Sequence, residues 1–85
     1  MIESAASRAK KYLETTSASL KQLKVRQLPA TVEQPRLNYV LEMVQGYIKD
    51  ATHYAEKRKH ITSLACVSYA EGLLDAMKFL ELLEF

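Results

Sequence analysis

One cysteine, two glycines, two prolines and no tryptophan form the scarce end of this composition, and each scarcity excludes something. A lone cysteine cannot close an intramolecular disulfide, which excludes the framework of a small secreted domain and leads us to expect a reduced, cytoplasmic setting. So little glycine and proline leaves almost no turn vocabulary for β-hairpins. The net charge of +2 is too slight to argue for a nucleic-acid partner by itself, so any such argument must come from where the charges sit. No apolar run reaches the roughly 20 residues that span a bilayer, so no membrane partner is expected. The opening stretch MIESAASRAKKYLE carries charges throughout instead of an apolar signal core, so an unexported soluble chain is expected.

What remains is rich in Ala, Leu, Lys and Glu, a helical composition in 85 residues, the size of one domain. Ile2, Ala6, Ala9, Leu13, Thr16, Leu20 and Leu23 recur at steps of four and three, one face of a first helix over about residues 3–26. Leu28-Pro29 closes it, because the residue before proline is pushed from the α region and proline donates no backbone bond. The linker, 27–34, lies within QLPATVEQP, where Thr31 with Gln34 has capping-box spacing and Pro35 suits a first helical turn. Leu37, Leu41, Val44, Ile48, Ala51 and Ala55 then mark a second helix over 34–58.

From Ile61 to Leu83 the chain is apolar on nearly every side, broken by a polar line through Ser68, Glu71, Asp75 and Lys78. This predicts a third helix over 60–84, divided from the second by the cationic run Lys57-Arg58-Lys59-His60. Three helices of matched length fit an all-α, up-down-up three-helix bundle with a tight hairpin between the second and third. Its expected core is Leu13, Leu20, Leu41, Val44, Ile48, Leu64, Ala65, Leu73 and Leu74.

Tyr47, Asp50, Ala51 and Tyr54, followed after the turn by Ser68-Tyr69-Ala70, Gly72-Leu73-Leu74 and Asp75, resemble the archaeal domain of unknown function family 357. In that family a YxxDAxYY-like helix precedes one carrying a SYAHGLLDA-like stretch. Glu71 departs from the histidine often found there, and the turn lacks the usual glycine. The resemblance implies a small helical bundle from an archaeon and brings no known activity. The same hairpin is faintly similar to one tetratricopeptide unit through Ala65, Tyr69 and Gly72, but no second copy of the unit is present.

Few residues offer chemistry. Glu71 and Asp75, four apart, repel mildly unless a cation or donor faces them, and with Tyr54 and Tyr69 they form the candidate polar site. The plainer reading of the pair is the solvated side of the third helix, with Asp75 bonded to Lys78 or a tyrosine. Neither a metal site nor a cofactor is expected: His53-x-x-Glu56 runs opposite to the Glu-x-x-His order of dimetal bundles. Cys66 has no activating cation within a helical turn and reads as a small buried hydrophobe. Gly72 costs about 0.8–1 kcal/mol in mid-helix, and with Ser68 and Ala76 it suggests close approach of a neighbouring helix.

Two functional readings follow. The FLELLEF terminus crowds Phe79, Leu80, Leu82, Leu83 and Phe85 around a helix that cannot turn them all inward. That favours a non-enzymatic interaction or self-association module, as a homodimer or with an unknown protein partner. Leu28 and Val32 folding back over the patch would leave a monomer. The alternative is a nucleic-acid or anion-binding end formed by Arg8, Lys10, Lys11, Lys57, Arg58 and Lys59, with the acidic residues gathered towards the opposite end. An enzyme has no nucleophile, base or phosphate loop behind it.

Overall fold

Three amphipathic segments can hide their apolar faces only against one another, and in the computed structural model, which describes residues 4–85, they do so as an all-α three-helix bundle. Helix α1 runs Ala5–Gln22, α2 runs Gln34–Glu56 and α3 runs His60–Phe79. Two short strands complete the order, β1 (Lys24–Val25) after α1 and β2 (Leu83–Glu84) after α3, paired antiparallel with Lys24 opposite Glu84 and Val25 opposite Leu83. Helix α3 packs on both α2 and α1, which touch each other less. The expected start of the first helix at residue 3 and the place of Ile2 on its face lie outside the described residues.

The ends of the helices explain the topology. Ser4 caps α1, its side chain accepting from the Ser7 N–H at 3.1 Å. Glu33, not Thr31, caps α2, with Pro35 in the first turn and no side-chain bond. The α2–α3 turn is a Schellman motif, Arg58 N–H donating to Ala55 O at 3.0 Å and Lys59 N–H to Tyr54 O at 2.9 Å. Arg58 adopts φ 59° there, a left-handed position that costs a non-glycine residue about 1–2 kcal/mol.

The same motif ends α3: Glu81 has φ 61°, and the N–H groups of Glu81 and Leu82 donate to Lys78 O and Met77 O, both at 2.9 Å. This corrects two expected boundaries, the end of the first helix at 26 and of the third at 84. The chain leaves α1 at Gln22, and reversal at Glu81 brings Leu83 back to pair with Val25, while Arg26 N–H reaches Leu82 O at 2.9 Å. Backbone groups that a longer helix would have used are satisfied between the two segments instead.

The core runs along one side of each helix: Ala9 and Thr16 on α1, Leu37, Val44 and Ala51 on α2, and Ser63, Val67, Ala70, Leu74 and Met77 on α3. Leu82 and Leu83 join Leu37, Val44, Ala70, Leu74 and Met77 in one buried cluster, with Leu20, Leu23, Leu28 and Val32 among the partly buried residues packed against it. The Ser63 hydroxyl donates to the Ala51 carbonyl at 2.7 Å, a buried bond fastening α3 to α2 beside the turn. Of the expected core, Val44 and Leu74 are buried, while Leu13, Leu20, Leu41, Ile48, Leu64 and Leu73 are half-buried. Ala65 is exposed, because it lies on the side of α3 that neither α1 nor α2 covers. Among the described residues no helix is long and apolar enough to cross a membrane.

Leu74→Ala should therefore cost about 2–5 kcal/mol in chemical denaturation, as cavity-forming truncations do, and half-buried Leu73→Ala clearly less. Equal costs would mean that α3 is rotated about its axis.

Candidate functional site

Helix α3 buries one line of side chains and shows the opposite line to solvent. On that outer face Ile61 is 78% exposed, Tyr69 66%, Phe79 79% and Leu80 69%. The small residues Ala65, Ser68, Gly72 and Ala76 lie exposed between them. Tyr47 of α2 stacks on Tyr69, ring centroids 5.3 Å apart and planes at 24°, and holds the ring over the hairpin. Ser68, Tyr69, Gly72 and Leu73 line a shallow apolar hollow. A Cβ on Gly72 would meet nothing within 4 Å, so no helix of this chain comes close there, contrary to the close approach expected from the sequence.

The crowded C-terminus is largely resolved inside the fold. Leu82 and Leu83 are 8% and 2% exposed, and Phe85 is half-buried with the Lys78 ammonium 4.6 Å from its ring centroid. Only Phe79 and Leu80 of that candidate interface remain open. The expectation failed because it continued the helix past Phe79. The reversal at Glu81 turns the last leucines inward.

The candidate polar site separates into two places. Tyr69 sits on the outer face, and Tyr54 is half-buried with its ring edge-on to His53, at 5.4 Å. Glu71 and Asp75 lie instead in a crevice of about 270 Å³ between α3 and α1, together with Lys11, Tyr12, Thr16 and Ser19. Two positions along a helix differ by roughly 200° around its axis, so Tyr69 and Glu71 cannot share a face. Asp75 makes no bond to Lys78 or to a tyrosine. Thr16 has a buried hydroxyl without a hydrogen-bond partner. The crevice offers carboxylates, hydroxyls and one ammonium, and it contains neither histidine nor Cys66.

The cationic residues gather only in part. The first turns of α1 lie beside the α2–α3 turn, where Ala6, Ala9, Lys10 and Leu13 share a shallow groove with Ala55 and His60. Lys57, Arg58 and Lys59 are exposed in that turn, and Arg8 is exposed in the neighbouring turns of α1. Lys11 is the exception, since it lines the crevice with Glu71 and Asp75. Among the described residues no group of three or more His, Cys, Asp or Glu is arranged to hold a metal ion.

Residues 11–83 match the family described as "Protein of unknown function (DUF357)". No curated protein and no solved structure matches the chain.

Cys66 is half-buried instead of fully enclosed as expected, and burial first and the Asp50 carboxylate second hold its thiol above its ordinary pKa. Both causes disfavour the thiolate, which is the nucleophilic form. Alkylation by iodoacetamide at neutral pH should be slower than for free cysteine, and Asp50→Asn should accelerate it by removing the repelling charge. An unchanged or slower rate in that variant would contradict the role given to Asp50.

Proposed function

We propose that this chain, which belongs to the DUF357 family, is a non-enzymatic interaction module, working in a reducing cytoplasmic setting, whose outer α3 face receives another protein surface. The observation that carries the reading is the row of exposed Ile61, Tyr69, Phe79 and Leu80 on one side of one helix. Isolated exposed apolar residues are ordinary, but a row of them along one helix face marks surfaces that meet other proteins. Glu71, Asp75 and Lys78 lie together along one flank of helix α3, so the apolar row has a polar border on that side. The small residues between the large ones suit a partner helix, which would approach closely at Gly72 and pack against Tyr69 and Phe79. Tyr69, fixed by Tyr47, is a rigid aromatic anchor that loses little side-chain entropy on contact.

Replacing Phe79 by a photoreactive phenylalanine in native cells tests the reading directly. Irradiation should give a covalent adduct to a protein, identified by mass spectrometry, while the same group at exposed Asn38 should not. An equal yield at both sites, or none at Phe79, would sink the proposal.

A further inference from the structure

Resting on that interaction face, we infer that its partner is a second copy of this chain, packed α3 against α3 in antiparallel register about a two-fold axis between Tyr69 and Gly72. The outer face is complementary to itself in this arrangement. Reversing α3 about that midpoint places Tyr69 opposite the other copy's Gly72, Ala65 opposite Ala76, and Ile61 opposite Leu80. The largest side chain at the centre meets the one position without a side chain, so ring enters notch twice by symmetry. This gives Gly72 a purpose that its own chain does not supply, since the space beyond it is open.

Charge selects the same orientation. The turn before α3 carries Lys57, Arg58, Lys59 and His60, and the reversal after it carries Glu81 and Glu84, all but half-buried His60 exposed. Antiparallel packing keeps the two basic turns apart, sets each beside an end that carries Glu81 and Glu84, and sets helix N-terminus beside C-terminus. That end is mixed in charge, since exposed Lys24 pairs opposite Glu84, exposed Arg26 follows it, and Lys78 sits over the Phe85 ring. Parallel packing would instead bring the two basic turns together and leave Tyr69 facing Tyr69. The basic turn thereby becomes the rim of an interface between copies, with no nucleic acid required.

The test uses the full chain with Cys66→Ser, so that introduced cysteines stand alone. Ala65 and Ala76 are about 16 Å apart along α3 at about 1.5 Å per residue, well beyond disulfide reach within one chain. Mild oxidation of a mixture of Ala65→Cys and Ala76→Cys chains should give disulfide-linked mixed dimers, while neither variant alone should cross-link to itself. Wild-type chain should sediment as a dimer in the micromolar range, and Gly72→Leu, which fills the notch from a position where an added Cβ meets nothing of its own chain within 4 Å, should weaken the dimer at least tenfold with unchanged helical content.

A dimer in which Ala65→Cys links to itself would overturn the antiparallel register while leaving the interaction face standing. A wild type that stays monomeric at high micromolar concentration would overturn the second copy as partner. An adduct at photoreactive Phe79 to a different protein would, in that event, keep the interaction face and show that only this inference had failed.

Discussion

Helix α3 is apolar on more sides than two neighbouring helices can cover, and that mismatch governs the rest of the molecule. Its line Ser63, Val67, Ala70, Leu74 and Met77 is enclosed by α1 and α2. Small residues there let the helices come near, and the Ser63 bond to Ala51 fixes the hairpin where the turn is shortest. The other apolar line, from Ile61 to Leu80, finds no cover within the described residues. An exposed row of this kind gains from association whatever its partner, because apolar area removed from water contributes about 25 cal/mol per Å².

Two left-handed residues determine which part of the excess is hidden. Arg58 folds α3 back on α2, and Glu81 folds the terminus back on the start of the linker. Neither is glycine, so each position carries a backbone cost that the burial behind it must exceed. Behind Glu81 lie Leu82 and Leu83, and the Schellman motif places Leu82 close to buried Met77. The terminus is thereby a lid over the end of the core, and the exposed row is confined to α3 itself. The polar flank of α3 is turned elsewhere, towards Lys11 and Thr16 of α1, and that separation keeps the outer face apolar.

Much of this was legible in the residues. The four-and-three steps on α1 and α2 identify the covered sides, with Ala9, Thr16, Leu37, Val44 and Ala51 buried as the pattern requires. The family resemblance rested on the hairpin residues Tyr47 to Ala76, and the family match extends over 11–83. Periodicity is silent where a helix is apolar all round, which is why Ala65 was placed inside and Val67, Ala70 and Met77 were not singled out. Reversal at Glu81 has no local signal: Phe79 to Leu83 contains good helix formers and no glycine or proline, and only pairing with Lys24–Val25 explains the break. The proposed polar quartet failed through geometry, since Glu71 and Tyr69 occupy different sides of one helix.

The central claim, that the outer face of α3 meets the same face of a second copy, is tested most directly by amide NMR spectra of uniformly ¹⁵N-labelled chain over a wide concentration range. The account predicts concentration-dependent shifts at Ile61, Ala65, Tyr69, Gly72 and Ala76, with Ala9, Thr16 and Val44 unchanged. Spectra that do not change with concentration, or shifts confined to α1 and the crevice around Glu71 and Asp75, would contradict it.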